Sequence, residues 1–166
     1  MKTEKVYLVG FMGAGKTTVA RGLARRLDWK ALDIDEQIER REHQSVSAVF
    51  AKKGEAHFRA TERSVLVEQL GSRHVVVATG GGTFVDPQNR GFINRDGMSV
   101  WIDVPLDRLI ARVPADGRRP LASDRAEFER LYLLRRESYE QAHHRIDAAR
   151  ASIDAIVEQL LDWLQT

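Results

Sequence analysis

"GFMGAGKTT", residues 10–18, follows the short apolar run "KVYLV" and is followed by Val19, Ala20, Leu23, Ala24 and Leu27. The run before it reads as a buried strand, and the apolar residues after it recur at helical spacing. The glycine-rich stretch is therefore a strand-to-helix turn. A turn needs one or two glycines, and this one has three, with a lysine and two threonines.

Residues 10–17 match GxxxxGK[S/T], a pattern whose parts have a physical purpose. Backbone N–H groups from Met12, Gly13, Ala14 and Gly15 can wrap phosphate oxygens, and the start of the helix, with Thr18, adds positive potential. Lys16 can reach the β and γ oxygens, and the Thr17 hydroxyl can ligate Mg²⁺. The stretch predicts a nucleotide site.

The remainder of the chain supports one α/β domain. At 166 residues, 43% hydrophobic and 30% charged, the composition is that of a globular protein with a real core. "KALDID" is a second strand candidate, and two polar helices follow, one from about Glu36 and one from Ser45 as N-cap to Gly54 as stop. A longer helix covers residues 55–70. "VVVAT" is the clearest buried strand, ending in "GGG" at Gly80, Gly81 and Gly82. Asp86 and Pro87 read as the N-cap and first position of a helix, "MSVWIDV" as a strand, and Pro105 as the opening of the next helix. "PADGRRPLASD" has the breakers of a loop, a long helix runs from about Asp124, "RIDA" is a weak last strand, and Ile153, Ile156, Val157, Leu160, Leu161 and Leu164 form a final helical stripe. This βαβα alternation predicts a three-layer α/β/α fold around a mainly parallel five-stranded sheet, with ligands beyond the carboxyl ends of the strands.

Net charge of +2, with arginine making up most of the 26 basic residues, suits anionic small ligands and does not point to nucleic acid. The absence of cysteine excludes disulfides and thiolate zinc sites. No stretch approaches the ~20 apolar residues of a membrane span, and residues 6–12 are too short for a signal-peptide core with its cleavage site. The expectation is a cytoplasmic, unprocessed monomer.

Several further groups fall at the same sheet edge. Asp33 and Asp35 in "DID" could support a Mg²⁺ shell or accept a proton from a hydroxyl; alternatively, Asp35 caps the helix that follows. Arg59 and Glu62 in "FRATE" form either a surface ion pair or an anion grip held by its carboxylate. Gly80, Gly81 and Gly82 suggest something packed on the main chain. Arg118 and Arg119 lie in the breaker-rich loop, and Arg135 and Arg136 on the helix after it; each is either solvated charge or a phosphate or carboxylate ligand. Asp103 resembles a second metal-site acid or is structural, and His143 and His144 lack partners at metal-ligand spacing.

Taken in order, "GFMGAGKT", "DID", "FRATE", "ATGGG", "RPLA" and "RRESY" resemble the shikimate kinase family over nearly the whole chain. The resemblance implies a P-loop kinase of the nucleoside-monophosphate-kinase-like fold, spanning residues 1–166, with a substrate-binding insertion at about 34–62 and a lid at about 113–124. It implies transfer of the ATP γ-phosphate to the 3-hydroxyl of shikimate with Mg²⁺. Lys16 and residues 12–18 would hold the phosphates, Thr17 and Asp33 the metal, and Asp35 the acceptor hydroxyl. Arg59 and Arg135 would clamp the carboxylate, Gly80, Gly81 and Gly82 would pack on the ring, Arg119 would stabilise the transferring charge, and Arg112 would lie near the adenine. Arg135 is chosen over Arg136 by its four-residue spacing to Tyr139. The chain departs from the pattern at His43 and Gln44, at Ala122, and at Glu137 and Ser138. Rival readings are a kinase of another small acid, such as gluconate, or of a nucleoside monophosphate, and, in a different class, a nucleotide-dependent switch; the last lacks an NKxD-type guanine motif.

Overall fold

In a computed structural model, which describes residues 1–112 and 125–166, the sheet has five strands in the order β2-β3-β1-β4-β5. The strands are β1 (Lys5–Val9), β2 (Lys30–Asp33), β3 (Val75–Ala78), β4 (Met98–Asp103) and β5 (His144–Asp147). Every neighbouring pair is parallel, with Tyr7 of β1 opposite Val77 on one side and Ser99 on the other. Alternate residues of a strand face opposite sides of a sheet, yet all five residues of β1 are buried. Both faces are therefore covered, as a parallel sheet requires.

The helices are α1 (Lys16–Leu27), α2 (Ile34–Glu42), α3 (Val46–Gln69), α4 (Pro87–Asp96), α5 (Leu106–Arg112), α6 (Arg125–Tyr139) and α7 (Ile153–Gln165). The apolar stripe of α1 buries Val19, Ala20, Leu23 and Ala24, and α1 packs on β2, β3 and α7. Among the described residues no helix is long and apolar enough to cross a membrane.

Most local signals act where the sequence places them. Ser45 caps α3 by accepting from the Ala48 N–H, and Asp86 caps α4 by accepting from Gln88 and Asn89, with Pro87 at the first turn. Gly54, read as a helix stop, breaks α3 internally: its φ of 84° and ψ of 168° lie in a region essentially reserved for glycine. The second half then continues at a new angle. One reading is corrected. The residue capping α2 is Asp33, whose Oδ1 accepts from the Glu36 N–H at 3.0 Å, whereas Asp35 lies inside the first turn of the helix. The helix accordingly starts at Ile34, earlier than its polar pattern suggests.

The lower end of the sheet holds a buried charge that the sequence pattern does not announce. Lys5, whose side chain is fully buried, places Nζ 2.6 Å from Asp96 Oδ2 and donates to Ser72 Oγ and the Gln69 carbonyl. Asp96 also accepts from the Tyr7 hydroxyl at 2.6 Å and the Gly71 N–H at 2.9 Å. Burial opposes charge on Asp96, but the bonds from Lys5, Tyr7 and Gly71 outweigh it and hold the pKa at about 2. Asp96→Ala leaves the Lys5 ammonium buried without its counter-ion and is expected to cost about 3–5 kcal/mol in urea unfolding. In the native protein the folded pKa lies below the unfolded value, so the Asp96 contribution is present above about pH 4 and is lost as pH falls toward 2. A melting-temperature profile across that window, shallower in Asp96→Ala, checks the sign.

Candidate active site

The turn from β1 to α1 uses its glycines for backbone shape, with Gly13 and Gly15 at φ of 80° and 92°. Met12 and Ala14 are buried, and Ala14 N–H donates to the Phe11 carbonyl at 3.2 Å. The buried Lys16 ammonium donates to the carbonyls of Gly10 at 2.7 Å and Phe11 at 2.8 Å, so it sits across the loop. Arg112 at the end of α5 reaches the same loop, donating to the Gly13 carbonyl at 3.2 Å. Thr18 is exposed in the first turn of α1.

Beside the loop, the Thr17 hydroxyl donates to Asp33 Oδ2. Two oxygen ligands from separate elements, the first turn of α1 and the end of β2, thus meet next to Lys16. One oxygen of Asp33 serves the helix cap and the other faces Thr17, so a single carboxylate carries both tasks. Asp35, two residues on, points elsewhere. Its Oδ1 would lie 2.8 Å from a Cβ added at Gly80, which places it against the turn after β3.

That turn floors a pocket. Asp35, Arg59, Glu62 and Arg135 supply its polar groups, Gly80, Gly81 and Gly82 its floor, and Met12, Val46, Phe50 and Phe58 its apolar wall. Met12 belongs to the phosphate loop as well, and its N–H nitrogen would lie 3.3 Å from a Cβ at Gly81. Loop and pocket therefore share a wall.

Arg59 and Glu62 are not a surface pair. Glu62 is 1% exposed and accepts from Arg59 Nη1 at 3.1 Å through Oε1 and from the Thr83 hydroxyl at 2.8 Å through Oε2. Thr83 in turn accepts from the Gly80 N–H at 2.9 Å, so one hydrogen-bonded chain ties the guanidinium to the glycine turn. Gly82 leaves room for the guanidinium to lie on the turn, because a Cβ there would fall 2.5 Å from Arg59 Nη1 and displace it.

The adjacent arginines of α6 have separate fates. Arg135 is 6% exposed, lines the pocket and sits over the Phe11 ring, while Tyr139 one turn on donates to the Gly81 carbonyl. Burial lowers the Arg135 pKa, and the neighbouring Arg59 charge lowers it further. Two guanidinium groups that repel each other in one pocket are both relieved by an anion between them. Arg136 turns away to Asp103, at 2.9 Å, and stacks on Trp101. Asp103 also pairs with Arg145 at 2.8 Å, so it is a structural acid and not a second metal-site residue. His143 accepts from the Ser99 N–H at 3.0 Å and His144 stacks on Trp163, which makes both structural. Among the described residues no three acidic or histidine side chains gather as a metal cluster. Arg118 and Arg119 lie outside the described residues.

Val46, Phe50 and Thr83 lie outside the motifs, and Phe58, the first residue of "FRATE", carries no expected role in the sequence. Phe50 and Phe58 lie eight apart in helical sequence, which alone reads as core, and only the break at Gly54 brings their rings to 4.6 Å beside the pocket.

A family model described as shikimate kinase matches residues 12–165. The chain belongs to the shikimate kinase family. A shikimate kinase of Persephonella marina is 39% identical over 159 residues, which is 95% of this chain and 97% of that protein. The structure of Acinetobacter baumannii shikimate kinase in complex with shikimate superposes with a TM-score of 0.92 at 34% identity, covering 98% of this chain and 93% of that one. The Aquifex aeolicus shikimate kinase structure gives 0.88 at 33% identity, covering 97% and 96%. Fold, family and kinase class thus agree with the six motifs.

Proposed function

We propose that this chain transfers the γ-phosphoryl group of ATP to the 3-hydroxyl of shikimate, releasing ADP and shikimate 3-phosphate. The observation that carries the reading is the shared wall: an acid-gripping pocket with two arginines and two carboxylates opens directly beside a phosphate loop. The substrate carboxylate binds Arg59 and Arg135, with Glu62 keeping the Arg59 fork in place. The ring lies on residues 80–82 against Phe50 and Phe58, and its hydroxyl is directed to Asp35. That hydroxyl oxygen bonds to the γ-phosphorus as the bond to the ADP oxygen breaks, and the hydroxyl proton passes to Asp35. Lys16 and the N–H groups of residues 12–18 hold the phosphates, Arg112 flanks the loop at Gly13, and Arg119 is assigned the transferring charge.

The residues present fit Mg²⁺. Thr17 and Asp33 offer adjacent hard oxygens, and Mg²⁺ takes few protein ligands, completing its shell with phosphate oxygens and water. When bound it neutralises charge on the β and γ oxygens.

ADP release measured side by side with shikimate, gluconate and nucleoside monophosphates tests the acceptor. Turnover is expected with shikimate; its absence, with turnover of another acceptor, sinks the substrate and spares the kinase. The two arginines give a sharper check. Losing a charge-assisted bond of about 1.5–3 kcal/mol, Arg135→Met should raise the KM for shikimate roughly 10- to 100-fold. Arg136→Met, which breaks the hold on Asp103 and the contacts with Tyr132 and Trp101, none of which lines the pocket, should change it far less.

A further inference from the structure

The second half of α3 carries Phe58, Arg59 and Glu62 into the pocket, yet Gly54 disconnects it from the first half. A broken helix loses the ladder that would otherwise fix its direction. Gly54 offers no steric guidance, since a Cβ there would meet nothing within 4 Å. Something outside α3 must set the angle.

We propose that Glu42, the last residue of α2, is a positioning residue for the acid pocket, bracketing the Gly54 break and thereby aiming Arg59. Its side chain is only 8% exposed. It takes Lys53 Nζ at 2.6 Å from before the break, and His57 Nε2 at 2.7 Å from after it. Thr61 Oγ1, one turn further, lies 3.3 Å from Glu42 Oε1 and 3.0 Å from the His57 carbonyl. His57 and Thr61 form a stripe about 100° round the helix from Phe58 and Glu62, so holding one stripe sets the rotation of the other. Hydrogen bonds from Lys53 and His57 hold the Glu42 pKa at about 2, so its charge is present throughout the working range. Elsewhere α2 meets α3 through Glu39, which accepts from the Val46 N–H before the break, and through the exposed Arg41, which pairs with Glu68 and donates to Ser64 further along and is of a kind that contributes little.

The inference rests on the proposed binding of the substrate acid by Arg59, and its test separates the two. Glu42→Ala, Glu42→Gln and Lys53→Met are compared in the full chain by steady-state kinetics and by amide hydrogen exchange over residues 55–62. Misplacing a positioned group by an ångström is costly, so Glu42→Ala should raise the KM for shikimate about tenfold while the KM for ATP stays within about twofold. Exchange over 55–62 should quicken, and Glu42→Gln, which keeps the shape and an acceptor oxygen, should restore most of both. Lys53→Met removes an exposed lysine, so it should fold and shift the same quantities in the same direction, even where Glu42→Ala does not fold. Unchanged exchange, or a KM change shared equally by both substrates, overturns the proposal. A wild-type protein that does not turn over shikimate fails the functional reading instead, and the exchange comparison still decides the role of Glu42.

Discussion

Lys16→Ala should lose phosphoryl transfer by about 10³-fold or more, because it removes a buried cation seated across the phosphate loop. In a buried position a fixed charge acts at low effective dielectric, and so stabilises developing negative charge far more than a solvated lysine does. The ammonium also satisfies the Gly10 and Phe11 carbonyls, so its loss has a structural side that must be separated from the chemistry. ADP release in a coupled assay, alongside melting of the same sample, makes that separation. A folded variant with turnover near wild type would remove Lys16 from the mechanism.

Asp35→Asn is expected to lower kcat by about 10²- to 10⁴-fold while leaving ATP affinity within about twofold, the size of effect general bases contribute. The replacement keeps the shape while removing the negative charge and with it the ability to take a proton. Its neighbourhood makes the test clean: Asp35 lies against the Gly80 turn on the pocket side, whereas Asp33 binds Thr17 and caps α2. Asp33→Asn should therefore act differently, raising the Mg²⁺ concentration needed for half activity. Identical behaviour of the two variants would dissolve the division of labour between them.

That division shows where reading the chain stopped. Of the two carboxylates in "DID", the sequence offers Asp35 as the helix cap, and the turn geometry, not the residue type, selects Asp33 instead. Arg59 and Glu62 are three apart on a helix whether exposed or buried, so the spacing could not tell a surface pair from a held anion grip. Burial of Glu62 under Thr83 and Gly80 tells them apart, and those partners come from elsewhere in the chain. The Lys5 cluster is a harder case, since a lysine at the start of a strand gives no local sign that Asp96 will meet it.

Local signals carried the elements. The strand before "GFMGAGKTT", the helix after it, the caps at Ser45 and Asp86 and the break at Gly54 all depend on residues within a few positions of one another, and all are legible in order along the chain. The phosphate loop is legible for the same reason, because one turn contains nearly all its parts. The acid pocket is not of that kind: its guanidiniums arrive from α3 and α6, its floor from the turn after β3 and its wall from the loop after β1. Which of two neighbouring arginines enters it is marked in the sequence only by the four-residue spacing from Arg135 to Tyr139, which puts the two on one helix face; what holds the other arginine away is Asp103 and Trp101, contacts tens of residues distant that no local signal shows.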